Sequence, residues 1–152
     1  MRLRPPTNAP TITATAAALA YDEGDGAVAV DAAITLTDPD DTTMTSVVVR
    51  ITGGYVNGED VLEFAGLGSI SGLWNVTFGR MTLTSSGGAT TADFQAALRL
   101  VMYRNTSATP TTAPNRTVTF TADDGTTTGS DTRQIAVTAV NNPPTLSTPG
   151  VR

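Results

Sequence analysis

Short runs of alternating apolar and polar residues fill most of the chain, and clusters of Gly, Asn, Asp and Pro separate them. Alternation with a period of two places the apolar side chains on one face of a β-strand, so each run predicts a half-buried strand. Thr and Val, which favour strands, are abundant in these runs. The pattern predicts strands at residues 12–20, 28–37, 44–52, 61–64, 73–78, 81–84, 117–122 and 134–140, with a further short strand that ends at Arg104.

One stretch departs from the alternation and favours a helix of about two turns. Its markers are an N-cap at Thr91, an acid in the first turn at Asp93, and apolar side chains at helical spacing at Phe94, Ala97, Leu98 and Val101. Strands 73–78 and 81–84 form a hairpin beyond the usual set. We therefore predict an all-β fold, a Greek-key β-sandwich of cadherin or immunoglobulin type, with an extra hairpin and one short helix.

Two turns of this predicted sandwich are acidic. Residues 38–41 read Asp-Pro-Asp-Asp, and residues 122–125 read Ala-Asp-Asp-Gly. In a Greek-key sandwich both turns fall at the pole where the chain enters, beside Asn8, whereas Glu23 falls at the opposite pole beside residues 141–142. Clustered carboxylates are the hard oxygen ligands that Ca²⁺ prefers. Asp and Pro also stabilise turns without a metal, so the composition of the turns leaves both interpretations open.

Composition removes most other chemistry. The 152 residues include no Cys and no His, and all nine basic residues are Arg, so zinc, haem, disulfide and Schiff-base sites are excluded. A Ser-His triad is impossible, the acids lie at turns with no predicted cleft, and we expect no enzymatic activity. The net charge of −5 offers no basic footprint for nucleic acid. No targeting segment or long apolar run is visible, so we expect no membrane insertion.

The two ends of the chain resemble each other. Residues 7–12 (TNAPTI) and 141–146 (NNPPTL) match at an offset of 134 positions, most closely at Asn-x-Pro-Thr followed by an aliphatic residue. A last linker that restarts the first strand is typical of one unit in a tandem array. We therefore expect a linker or non-native remnant at 1–7, one β-sandwich repeat at 8–142, and a linker to the next repeat at 143–152.

Four motifs together resemble the cadherin-like repeats of giant bacterial adhesins. ITLTDPDD resembles the strand that ends in an Asp-x-Asp calcium motif, and FTADDG resembles the Ala-x-Asp-Gly turn. YDEGD is similar to the acidic segment after the first strand, and AVNNPP to the Asn-Asp-x-Pro linker. The segment from FQAALRLVMYRNTS to NRTVTFTADDG also resembles repeats of chondroitin-sulfate-proteoglycan type. The resemblance spans roughly residues 8 to 146.

The resemblance implies calcium ions between consecutive repeats. The residues that it implies as ligands are Asp38, Asp40, Asp124 and Asn8 at the entry pole, and Glu23 and Asn142 at the other. Position 139 is Ala and position 142 is Asn where the adhesin repeats carry aspartates, so we expect weak binding, with dissociation constants of roughly 10⁻⁴ to 10⁻³ M. A repeat without metal is also compatible with these departures.

The expected function is a structural spacer repeat of a secreted or cell-surface adhesin-type protein, stiffened by Ca²⁺ at its junctions with neighbouring repeats. The alternative is an adhesion module whose exposed loops, such as residues 53–58, bind a cell-surface glycan or protein. Tyr21 and Tyr55 lie in predicted loops and are the candidates for exposed contacts. The other aromatic side chains alternate with polar residues and are expected mainly in the core.

Overall fold

The structure, a computed structural model, describes residues 8–140. It contains eleven strands and one helix within that range. In chain order they are β1 (Thr11–Thr13), β2 (Leu19–Asp22), β3 (Val28–Ala29), β4 (Thr35–Thr37), β5 (Thr43–Gly53), β6 (Asp60–Glu63), β7 (Ile70–Asn75), β8 (Arg80–Thr90), α1 (Thr91–Leu98), β9 (Met102–Asn105), β10 (Arg116–Asp123) and β11 (Thr128–Thr138).

The strands form two layers. One layer is a six-stranded sheet in the order β2-β11-β10-β5-β8-β7, in which only the β2–β11 pairing is parallel. The other layer consists of the pair β1-β4 and the trio β3-β9-β6. Both small sheets face the large one, because their buried side chains, such as Leu36 and Leu62, belong to the same hydrophobic core as those of the large sheet. The predicted all-β sandwich, with its extra β7–β8 hairpin and single short helix, is confirmed.

The first predicted strand, 12–20, is divided by a crossing between the layers. β1 pairs with β4 in one layer, and β2 pairs with β11 in the other. Two carboxylates hold the crossing chain: Asp131 Oδ2 accepts the N–H of Ala14 at 2.8 Å, and Asp31 Oδ2 accepts that of Thr15 at 2.7 Å. These side-chain acceptors replace the ladder hydrogen bonds that an unbroken strand would have made.

The predicted strand 28–37 is likewise interrupted, at Asp31. This side chain is 1% exposed and accepts hydrogen bonds from Thr15 and from the N–H of Ala33. Its bond to Ala33, two residues further on, turns the chain locally. The alternation therefore fails at Ala32, which is exposed, and resumes at Ile34, which is buried.

The helix begins one residue earlier than predicted. Thr90, rather than Thr91, is the N-cap: its hydroxyl accepts the N–H of Asp93, and the Asp93 carboxylate accepts the N–H of Thr90. This reciprocal capping box satisfies two backbone donors at the start of the helix. The helix ends at Leu98, so the buried residue Val101 belongs to the loop that follows the helix and not to the helix itself. Gln95 also accepts the N–H of Leu36, which fixes α1 against β4.

A buried ion pair that the alternation pattern did not predict anchors the loop between β9 and β10. Arg116 and Asp60 are both 0% exposed, and Arg116 Nε lies 3.0 Å from Asp60 Oδ1. The Tyr103 hydroxyl and the Asn105 amide donate to the same carboxylate oxygen, and Glu59 accepts from Arg116 at 3.2 Å. The buried charges are thus paired and hydrogen-bonded, as burial requires.

Candidate cation site at the acidic pole

Four carboxylates from two distant turns meet at one end of the sandwich. Asp38, Asp40 and Asp41 follow β4, and Asp124 follows β10. One oxygen from each lies within 4.8 Å of the others, and we call this group the acidic pole. The convergence of the two acidic turns, derived above from topology, is therefore present. Asp41, which was not among the six expected ligands, joins the group.

Asp38 supplies the feature of this pole that bears most directly on a ligand. Its Oδ1 accepts the backbone N–H groups of Asp40 at 3.1 Å and of Asp41 at 3.2 Å, which folds the turn around the carboxylate. Its Oδ2 is buried and has no hydrogen-bond donor within residues 8–140. A buried polar atom without a partner costs free energy, so a cation bound at this oxygen would lower the free energy of the pole.

Asn8 reaches the pole through its main chain. Its N–H donates to Asp40 Oδ2 at 2.9 Å, and its carbonyl accepts the Thr127 hydroxyl at 3.4 Å. The segment that leads into β1 is thereby attached to both acidic turns. This places Asn8 beside the expected ligands Asp40 and Asp124, as the topology predicted.

Asp124 is held by its own turn. Its Oδ1 accepts the N–H groups of Thr126 at 2.9 Å and Thr127 at 2.8 Å, and both hydroxyls also donate to the carboxylate. Asp123 instead accepts the N–H of Gly125 within the turn, in keeping with its expected place outside the ligand set. Both acids thus serve the turn, and Asp124 also contributes an oxygen to the pole.

The electrostatics of the pole are those of crowded anions. Burial, together with the neighbouring carboxylates of Asp40 and Asp124, raises the pKa of Asp38 to about 6. Burial and the charge of Asp40 also raise the pKa of Asp41. The Asn8 N–H lowers the pKa of Asp40, and the Thr127 and Thr126 N–H groups lower that of Asp124. The pole therefore favours the charged forms of Asp40 and Asp124 and disfavours the charged forms of Asp38 and Asp41.

The size of the cluster matches a calcium ion. Ca²⁺ binds oxygens at about 2.3–2.6 Å, so ligands on opposite sides of one ion lie at most about 4.6–5.2 Å apart. The corresponding span for Mg²⁺ is about 4.0–4.2 Å. The four carboxylate oxygens lie within 4.8 Å of one another, which is close enough for all four to contact one calcium ion. The donor set, its spacing and the unpartnered Oδ2 of Asp38 all fit a hard divalent cation.

Glu23 lies at the opposite end of the sandwich, as expected. Its N–H donates to the carbonyl of Thr138 at 2.8 Å, and its Oε2 accepts the N–H of Val140 at 3.0 Å. Glu23 therefore contacts the end of β11, where the described chain leaves the sandwich. The other expected ligand of this pole, Asn142, lies outside the described residues.

Of the two tyrosines that were expected to be exposed, Tyr21 is buried and Tyr55 is half-buried. Tyr21 is 0% exposed, and its hydroxyl donates to the carbonyl of Gly26 inside the fold. Tyr55 is half-buried. Its ring packs against Gly79 so closely that a Cβ atom added to Gly79 would lie 2.9 Å from the ring, and its hydroxyl donates to the carbonyl of Val76. The prediction failed because the alternation that marked the neighbouring strands does not report which loop side chains turn inward. Phe78, expected in the core, is 49% exposed.

Comparison with known proteins gives one sequence relative. Halomucin of Haloquadratum walsbyi (strain DSM 16790 / HBSQ001) is 32% identical over 118 residues, which cover 74% of this chain and 1% of Halomucin. The chain is therefore similar to a small segment of a far longer protein. No protein-family model matches the chain. Among solved structures, a chimeric titin Z1Z2 functionalized with a KLER exogenous peptide from decorin matches with a TM-score of 0.40 at 15% identity, over 89% of this chain and 99% of that one.

The single helix within residues 8–140, α1, does not have the length and apolar character needed to cross a membrane.

Proposed function

We propose that this chain is a spacer repeat of a very long extracellular surface protein, with Ca²⁺ bound at the acidic pole where it joins the preceding repeat. Similarity to a segment that makes up 1% of Halomucin supports a repeat-like unit within a larger protein. The observation that carries the metal is the cluster of four carboxylates within 4.8 Å that contains a buried, unpartnered oxygen. The partners that this function requires are neighbouring repeats of the same polypeptide.

The residues that would hold the ion are Asp38, Asp40, Asp41 and Asp124. The bound cation would neutralise part of their mutual repulsion and supply the missing partner of Asp38 Oδ2. The chain itself positions the ligands: turn N–H groups orient Asp38 and Asp124, and the Asn8 N–H orients Asp40. Because Asn8 leads into β1, binding at the pole would also fix the direction in which the preceding segment meets the sandwich.

Thermal unfolding of the 152-residue chain in millimolar Ca²⁺ and in EDTA tests this function. An ion that binds only the folded state stabilises it by about 2.7 kcal/mol at a hundred times its dissociation constant. We expect a clear rise in Tm with Ca²⁺ that is lost in the Asp40→Asn variant. Asp123→Asn is the matched control, since an amide oxygen can still accept the Gly125 N–H and Asp123 is outside the pole. Equal Tm values with and without Ca²⁺, in this chain and in a tandem of two copies, would reject the metal.

A further inference from the structure

Two arginines lie directly opposite each other on the outer face of the large sheet. Arg50 of β5 and Arg80 of β8 are register partners, and the Phe78 ring lies near both side chains. Their guanidinium carbons are 6.0 Å and 5.4 Å from the Phe78 ring centroid, and Arg50 Nε also donates to the Phe78 carbonyl at 3.1 Å. We call Arg50 and Arg80 the arginine pair; the aromatic ring and the carbonyl hold it in place.

No acid neutralises the arginine pair within the described chain. All fourteen Asp and Glu residues of the sequence lie in residues 8–140, yet the ion pairs there involve only Arg104 and Arg116. Like charges directly opposite each other on one sheet face destabilise the pairing of the strands. A carboxylate at the neighbouring position, where Thr119 stands opposite Arg50 on β10, would have relieved the repulsion. The sequence instead leaves two cations beside each other on an acidic protein.

The surface around the arginine pair is a shallow trough of hydroxyl groups. Its volume is about 320 Å³, and its lining residues are Val48, Arg50, Thr52, Arg80, Thr119 and Thr121. The Thr52 and Thr119 hydroxyls lie 2.8 Å apart, so each can also bond to a molecule in the trough. Phe78, at 49% exposure, offers an apolar ring at the side of the same surface. Cationic, hydroxyl and aromatic groups are thus within reach of one extended ligand.

We propose that this trough binds the carboxylate or sulfate groups of an anionic polysaccharide. Guanidinium forks match the planar or tetrahedral oxygens of these groups and form charge-assisted hydrogen bonds with them. Threonine hydroxyls can bond to sugar hydroxyls, and the Phe78 ring can pack against the apolar face of a sugar. A peptide added as a strand does not fit the trough itself, because β5 pairs on both sides, with β8 and β10.

The trough is separate from the acidic pole. Arg50 pairs with Thr119 of β10, which lies five residues before Asp124, or roughly 17 Å at the rise of a strand. At about 0.15 M salt the screening length is ~8 Å, well below this distance. Removal of the arginine charges should therefore leave the calcium response unchanged, and the two sites can be tested independently.

The test is binding of the full chain to heparin and to polygalacturonate, with neutral dextran as the uncharged probe. At about 0.01 M salt, where the screening length is ~30 Å, we expect binding to one or both acidic polymers and none to dextran. Each of Arg50→Gln and Arg80→Gln should weaken binding about tenfold, or ~1.4 kcal/mol, as for loss of one charge-assisted hydrogen bond. Arg104→Gln is the matched control, because Arg104 is exposed and already paired with Glu63 at 2.7 Å; it should change binding less than about twofold.

Retention on heparin alone would identify sulfate as the bound group, and retention on both polymers would identify carboxylate and sulfate alike; each supports the proposal. Failure of the folded chain to bind either polymer at low salt would overturn it, as would an equal loss in Arg104→Gln. Sedimentation velocity tests whether the arginine pair contacts a second copy of the chain instead of a polysaccharide. A dimer that disappears in the double variant Arg50→Gln/Arg80→Gln would show this and would overturn the proposal. Circular dichroism should show that all variants fold, since both arginines reach the protein surface.

Discussion

The sharpest test of the acidic pole is Asp38→Asn, because the expected sign of its effect depends on calcium. Asn is nearly the same shape as Asp, and its oxygen can still accept the N–H groups of Asp40 and Asp41. The substitution removes the negative charge and replaces the unpartnered Oδ2 with an amide NH₂ group. The turn is therefore retained, while one ligand of the proposed metal site is lost.

Without calcium, the variant should be more stable than the parent. Crowding and burial raise the pKa of Asp38 to about 6, which means that folding disfavours its charged form near neutral pH. Asn cannot ionise, so it avoids this cost and repels the other three carboxylates less. The cluster is largely solvent-screened, so we expect a gain of only about 0.5 kcal/mol in the free energy of unfolding.

With calcium, the order should reverse. If the dissociation constant is roughly 10⁻⁴ to 10⁻³ M, Ca²⁺ at about 10 mM is ten to a hundred times that constant and stabilises the parent by about 1.4–2.7 kcal/mol. Loss of one carboxylate that weakens binding about tenfold reduces the increment to ~0.4–1.4 kcal/mol. For a domain of this size each kcal/mol shifts Tm by about 2–4 °C. The calcium-induced rise should thus be about 3–11 °C in the parent and about 2–5 °C smaller in the variant.

Differential scanning calorimetry of both proteins in EDTA and in Ca²⁺ measures all four Tm values. Asp123→Asn should follow the parent in both buffers, because its side chain belongs to the turn and not to the pole. Mg²⁺ at the same concentration should give a smaller rise, since it demands nearly ideal octahedral geometry and loses its water ligands reluctantly. The reasoning would be refuted if Asp38→Asn lowered Tm in EDTA, or if the calcium increments of parent and variant were equal.

Two further predictions concern charge in the folded state. In EDTA, the stability advantage of Asp38→Asn over the parent should be absent near pH 4 and should grow as the pH rises toward about 6. The reason is that the folded pKa of Asp38 lies above its ordinary value, so its ionisation disfavours folding in that window. Urea titration measures the difference in the free energy of unfolding, and a difference that is constant in pH would contradict the prediction. Asp60→Asn should cost about 3–5 kcal/mol in the same titration, because it leaves the fully buried Arg116 without its main counter-charge; a loss below about 1 kcal/mol would show that Glu59 alone can balance Arg116.

Long alternating stretches of the sequence predicted the fold well. β5 and β10 occupy nearly the predicted ranges because each strand is half-buried along its length, which produces strict alternation in the sequence. The pattern failed where a carboxylate replaces a backbone acceptor. The first predicted strand is broken by two such bonds: Asp31 accepts the N–H of Thr15, 16 positions away, and Asp131 accepts the N–H of Ala14, 117 positions away. The alternation of neighbouring residues carries no information about bonds between such distant positions.

The acidic pole was predictable because topology alone brings its turns together, whereas the other polar sites were not. Asp38, Asp40 and Asp124 follow strands whose direction the Greek key fixes, so their convergence needs no knowledge of side-chain packing. Arg50 and Arg80 belong to strands whose pairing was predicted less completely: β8 was expected to begin at residue 81. Their exact opposition depends on the register across the β5–β8 pair, which the alternation of polar and apolar residues does not determine.

The acidic pole and the arginine pair share one physical property: each gathers like charges that no side chain in residues 8–140 neutralises. The two groups do not neutralise each other, because roughly 17 Å of strand separates Arg50 from Asp124 and physiological salt, with a screening length of ~8 Å, screens charges at that distance. Repulsion within each group disfavours folding, and a single substitution on a neighbouring strand could relieve it. By contrast, the buried charge of Arg116 is paired within the chain, with Asp60. The unneutralised groups therefore support both proposals: a cation at the pole, and an anion on the sheet face.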